Sequence, residues 1–238
     1  MALPKPPVPT YELELPSTGK TVKYRPFLVS EEKILLMAME SSDEKQITDA
    51  VKDIVKACVL TKGIKVEDLA SFDIEYLFLN IRGKSVGEEV QMKITCSDDN
   101  ETEVDYTLNI AEVKVQKDST HTNKIMLDDT TGIVMKYPGM EQFIQTQIMM
   151  KTLNAEEVFD IIVDSVYQIF AGEDVYEAKT TPRKEIEEWL GGMTSKQFEQ
   201  IKNFFATMPK LSHTFKITNP NTKVESEYTI EGLVNFFG

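Results

Sequence analysis

The sequence predicts an α+β chain. It reads as an N-terminal β-hairpin and helices, a β-rich middle of antiparallel hairpins, and a C-terminal helical region ending in a hairpin and short helix. Three observations predict this. Apolar residues alternate at period two over residues 11–24, 90–110 and 213–230. Elsewhere they recur at helical period, most regularly from Ile47 to Val59. Turn residues at 16–19, 97–100 and 219–222 punctuate the alternating runs.

Each element follows from its residues. Residues 1–10 carry Pro4, Pro6, Pro7 and Pro9 and make an extended, polyproline-like arm. Residues 11–85 read as a hairpin plus helices. Tyr11, Leu13 and Leu15 alternate with Glu12 and Glu14, and Val22 and Tyr24 alternate with Lys23 and Arg25. Acidic residues on one strand facing basic ones on the other fix the register, at about 0.2–1 kcal/mol per pair. Ser30 is the expected N-cap of a first helix through Ile34, Leu35, Leu36 and Met37, with Glu31 and Glu32 in its first turn. A second helix starts near Ser42 or Asp43. Its stripe is Ile47, Ala50, Val51, Ile54, Val55, Cys58 and Val59, and Gly63 is its expected C′ residue. A third helix, near Ser71–Ile81, stops before Gly83.

Residues 86–137 form the antiparallel β-rich region. Val90, Met92, Ile94 and Cys96 alternate, as do Thr102, Val104, Tyr106, Leu108 and Ile110 beyond a polar tip. Val113 and Val115 predict a short strand, and residues 116–123 a polar loop. Ile125 to Tyr137 predict a third hairpin. Residues 138–238 are the helical region with its C-terminal hairpin. Met140, Phe143, Ile144 and Ile148 mark one helix. Asn154 caps the next, which is expected to run through Val158, Ile161, Ile162, Ser165, Val166, Ile169 and Phe170. Pro182 opens another, and Gly191-Gly192 closes it. Thr194 and Gln197 make a capping box for a helix bearing Phe198, Ile201, Phe204 and Phe205.

The 238 residues carry 39 acidic against 26 basic side chains, a net charge of −13. Such acidity opposes a nucleic-acid partner, which needs a basic footprint. The longest purely apolar run, Ile34–Met39, is far short of the roughly 20 residues that cross a bilayer, and the opening MALPKPPVPT, without an apolar core, is not expected to act as a secretory signal, so no membrane partner is expected. Two cysteines, Cys58 and Cys96, cannot build a disulfide framework, which points to a reducing, intracellular setting.

Chemistry-bearing patterns fail on context. Ser17-Thr18-Gly19-Lys20-Thr21 resembles the end of a phosphate-binding loop, but Glu14 stands where a glycine is needed and the setting is strand–turn–strand. Gly83-Lys84-Ser85 fails likewise at Phe78. Cys96 has no CxxC partner, and the acidic stretch from Asp98 to Asp105 lacks the glycine and terminal Glu of a Ca²⁺ loop. His121 and His213 stand far in sequence from any nucleophile motif. The expectation is therefore no catalytic residue, no metal and no cofactor, and a protein that is not an enzyme.

The remaining signals are surfaces. Residues 153–190 hold ten acidic groups against Lys179, Arg183 and Lys184. That stretch is either a solvated helix face or a docking face for a basic partner. The candidate partner-binding residues are Pro6 and Pro7 of the arm, Tyr11 and Tyr24 of the hairpin, Glu156, Glu157, Asp160 and Asp164 of the acidic face, and Leu233, Phe236 and Phe237 of the tail. The tail aromatics fit a core staple at least as well as a partner anchor.

Three stretches together resemble a known family: LPSTGKTVKYRPFLVSEEKILLMA (15–38), FFATMPKLSHTFKITN (204–219) and IEGLVNFF (230–237). LDDTTGIVMKYPGM and QIFAGEDVYEA fit the same pattern. The chain resembles the baseplate hub subunit family of T4-like contractile-tailed bacteriophages. The resemblance implies a late, non-enzymatic protein acting in assembly of the baseplate's central hub, as a structural component or as a transient tail-assembly chaperone. It implies other baseplate hub and tail proteins as partners, is compatible with a homo-oligomer, and places the chain in host cytoplasm during assembly and in the virion tail if structural. Under that reading, removing residues 1–25 is expected to abolish hub assembly while leaving the helices folded.

Overall fold

The computed structural model describes residues 6–41, 43–140, 142, 155–232 and 236. The chain divides into two units, residues 1–116 with 210–238, and residues 117–209. Both mix helices with small antiparallel sheets, the α+β arrangement expected.

In the first unit, β1 (Tyr11–Glu14) and β2 (Thr21–Tyr24) pair antiparallel, with Glu12 opposite Lys23 and Leu13 opposite Val22. Helix α1 (Val29–Glu40) has Leu28, not Ser30, as its N-cap. The Glu31 carboxylate accepts the Leu28 N–H at 2.7 Å, so an acidic side chain three residues on supplies the cap. Asp43 caps α2 (Glu44–Cys58), accepting from the N–H of Lys45 at 2.9 Å and of Gln46 at 3.3 Å. The stripe from Ile47 to Cys58 is buried as its spacing requires.

Helix α2 ends at Cys58 rather than near Gly63. Val59 leaves the helix to bridge Tyr24, and the Leu60 N–H donates to the Lys23 carbonyl at 2.8 Å. Strand pairing thus outcompetes a further helical turn. Helix α3 (Ser71–Val86) runs through Gly83 instead of stopping before it. Gly83 is buried, and a β-carbon there would lie 3.6 Å from the Ile110 side chain. Gly87, at φ +113°, ends the helix in a conformation that L residues rarely adopt.

Strands β3 (Glu89–Thr95) and β4 (Glu103–Asn109) form the expected second hairpin. β5 (Lys114–Gln116) pairs with β10 (Lys210–Thr218), which pairs with β11 (Glu225–Glu231), all antiparallel. Cys96, Phe215 and Ile217 pack with Ile94, Val104 and Tyr228, and Tyr106 stacks on Phe215 at 3.9 Å between centroids. The hairpin tips are pinned by polar contacts. Buried Asn219 donates to Asp98 at 3.0 Å and to Asp99 at 2.9 Å, and Thr222 donates to Asp98.

In the second unit, β6 (Lys124–Met126), β7 (Thr131–Met135), β8 (Val166–Ala171) and β9 (Asp174–Glu177) make a four-stranded antiparallel sheet in that order. Helices α4 (Ala155–Asp164), α5 (Arg183–Gly191) and α6 (Ser195–Thr207) contribute Ile162, Ile186, Leu190, Ile201 and Phe204 to a core shared with Ile133, Met135 and Ile169. The Thr194–Gln197 capping box is present. Beyond Met140, the helix expected through Phe143, Ile144 and Ile148, with the Asn154 cap, falls outside the described residues.

One expectation is overturned here. The helix through Ser165, Val166, Ile169 and Phe170 ends at Asp164, and the rest is strand β8. A register shift between Val134 and Met135 sets Met135 opposite Val166 and Val134 opposite Gln168. Tyr167 is the extra residue, so Val166 and Ile169 both point into the core although three apart. A bulged strand thereby imitates helical spacing.

Candidate interaction surfaces

The described sequence-predicted residues belong to both units. Pro6 and Pro7 are exposed in the extended segment before β1. Tyr11 is half-buried, its ring 5.8 Å from that of Tyr24 and 5.5 Å from the Lys84 ammonium. Tyr24 itself is 2% exposed and bridges Val59, so it is a packing residue and presents nothing to a partner. The expectation that removal of residues 1–25 leaves the helices folded falls with it, because Leu15, Val22 and Tyr24 belong to the core.

The acidic face is partly consumed within the chain. Arg183 donates to Asp160 at 2.7 Å, to Glu187 at 2.7 Å and to Asp164. Asp160 and Asp164 are therefore paired carboxylates rather than charges held out for a basic partner. Glu156 is exposed and Glu157 half-buried on the same helix. In the tail, Phe236 is 1% exposed among Leu79, Val90, Leu108, Val113 and Leu211, which makes it a core staple. Leu233 and Phe237 lie outside the described residues.

Sequence reasoning missed a clamp at Arg25. Its guanidinium donates twice to Glu31, at 2.7 and 2.8 Å, once to the Pro26 carbonyl at 2.9 Å and once to the Ala57 carbonyl at 3.0 Å. This ties the end of β2 to the start of α1 and the end of α2. The bidentate bond to Arg25 holds the Glu31 carboxyl below the usual carboxylate range. Burial pushes the neighbouring Cys58 thiol up to about 12, so it behaves as an apolar side chain. A basic residue closing a strand six positions before an acidic helical N3 was the available signal.

The chemistry-bearing patterns are absorbed into structure. In the Ser17–Thr21 turn, Ser17 donates its N–H to Asp73 at 3.0 Å, and the Gly19 N–H goes to the Leu15 carbonyl at 2.8 Å. These amides are already taken by an internal carboxylate and a carbonyl, and so are not free to cradle a phosphate. Both ring nitrogens of His121 are engaged, with Thr207 at 2.9 Å and Tyr137 at 3.0 Å, and burial lowers its proton affinity. His213 lies 3.2 Å from the Tyr106 hydroxyl. Among the described residues, no group of three or more His, Cys, Asp or Glu side chains could hold a metal ion, and no helix is long and apolar enough to cross a membrane.

Strand edges, an open cleft and an exposed helix face remain as candidate surfaces. Strands β4, β9 and β11 have one ladder partner each among the described residues; β4 exposes Glu103 and Asp105 and β11 exposes Glu225, Glu227 and Glu231, the usual guard on an open edge, whereas β9 exposes Val175 and Tyr176. An open cleft of about 580 Å³ in the second unit is lined by Lys124, Lys196, Lys202, Glu199, Phe204 and Thr207. Helix α1 exposes Val29, Ile34, Leu36 and Met37.

A family model described as "T4 bacteriophage base plate protein" matches residues 8–238. No curated protein and no solved structure matches the chain.

Proposed function

The chain belongs to the T4 bacteriophage base plate protein family, and from that premise we propose that it is a non-enzymatic component of the base plate's central hub. The match over residues 8–238 carries the reading. Two features support an assembly part over a catalyst. The Ser17–Thr21 turn and both histidines are committed to internal bonds. The surface offers open strand edges, an exposed proline arm and an uncovered apolar helix face, which are elements that dock onto other chains.

A phage lacking this chain is the test. Without it, host cells should accumulate tail precursors but no complete hubs, and supplying the wild-type chain should restore them. Normal hubs in its absence would overturn the proposal. If the chain is required yet is found in hub intermediates and not in finished tails, it is a transient assembly chaperone. Lys20→Ala should be without effect on assembly, and binding of ATP by the wild type in calorimetry would reinstate a nucleotide-using enzyme.

A further inference from the structure

Helix α1 carries buried apolar residues on one side and exposed apolar residues, interleaved with two charges, on the other. Leu35 and Ala38 are buried against the unit, while Val29 is 81% exposed, Met37 60% and Leu36 53%. Exposed apolar side chains grouped on one face of a helix mark a surface that a partner covers. At 100° per residue, Val29, Lys33, Leu36, Met37 and Glu40 fall on one outward stripe about 100° wide, opposite Leu35.

The two charges on that stripe decide what covers it. Lys33 and Glu40 are seven residues apart, about 10.5 Å along the axis, too far to pair with each other. Neither has an ion-pair partner among the described residues. A two-fold axis passing between Leu36 and Met37 maps Lys33 onto the position of Glu40 and Glu40 onto that of Lys33. Packing α1 antiparallel against its own copy thus places Lys33 of each chain across from Glu40 of the other, with the Leu36 and Met37 pairs between them. The stripe is self-complementary in charge and shape class, which an isologous interface requires.

We propose that α1 is a homodimer interface, in which a second copy of this chain covers Leu36 and Met37 and closes two Lys33–Glu40 pairs. The inference stands on this helix alone and does not depend on the hub assignment.

Sedimentation equilibrium of the full chain tests it. The wild type should approach twice 27.1 kDa at micromolar concentration, and Leu36→Glu with Met37→Glu should sediment as a monomer with unchanged circular dichroism. Lys33→Glu alone, or Glu40→Lys alone, should weaken the dimer about tenfold, since symmetry sets two like-charge pairs against each other. The double variant Lys33→Glu/Glu40→Lys should restore wild-type affinity. A wild type that stays monomeric at about 100 μM, as expected if another protein or nothing covers the stripe, would overturn the proposal. So would a double charge swap that fails to rescue.

Discussion

Arg25→Ala removes the bonds that join β2, α1 and α2, and its cost can be worked from the geometry. The guanidinium makes four bonds of 2.7–3.0 Å. The Arg25 and Glu31 side chains are 18% and 15% exposed, which sets the pair between an exposed one and a buried one. Exposed pairs contribute at most about 1 kcal/mol, and removing one partner of a buried pair costs about 3–5 kcal/mol. An intermediate value of about 2–3 kcal/mol follows. At about 2–4 °C per kcal/mol for a chain of this size, thermal unfolding followed by circular dichroism at pH 7 should show Tm lowered by roughly 5–10 °C. A double-mutant cycle with Glu31→Ala should return a coupling of about 1–2 kcal/mol.

The same pair fixes a pH signature. The folded-state proton affinity of Glu31 is depressed, so its contribution is present above the ordinary carboxylate value, near 4.3. It is lost as pH falls through the lower folded value. The Tm gap between wild type and Arg25→Ala should therefore narrow below about pH 4. A loss under about 1 kcal/mol at pH 7, with no coupling to Glu31, would refute the clamp.

Three further expectations concern other sites. Gly132→Ala would set a β-carbon 2.5 Å from the Ile125 carbonyl and against the Phe170 ring. Overpacking of this kind costs about 1–3 kcal/mol, read as a lowered urea midpoint, whereas an unchanged midpoint would contradict the packing. Cys58 and Cys96 are both buried, with Cys58 pushed up to about 12. A thiol reagent at pH 8 should label neither in the native chain and both in denaturant, and prompt native labelling would contradict their burial. His121 binds its proton more weakly when folded. The unfolded chain takes up the proton first, so stability should fall as pH drops below about 6.5, and His121→Gln should lose that dependence.

Local pattern was readable in the sequence where it settles structure by itself. The hairpin registers follow from alternation, α2 from an unbroken stripe, and α6 from Thr194 and Gln197. What could not be read depends on contacts distant in sequence. Val59 leaves its helical stripe because β2 accepts it, and Gly83 stays within a helix because Ile110 packs on it. β8 was misassigned because a bulge gave Val166 and Ile169 helical spacing. The candidate surface was less legible than the fold. Tyr24 and Phe236 have the composition of an anchor, and only tertiary packing makes them core. Asp160 and Asp164 look like a docking face until Arg183 reaches them from another helix. Leu36 and Met37 of the exposed stripe on α1 lie inside the longest apolar run, where period alone does not separate its inner side from its outer one.

Quantitative mass spectrometry of purified hub intermediates and finished tails tests membership of the hub most directly. A hub component should be found in hub complexes at a fixed whole-number ratio to the other hub proteins. Its absence from every hub and tail complex would rule out a place in the hub.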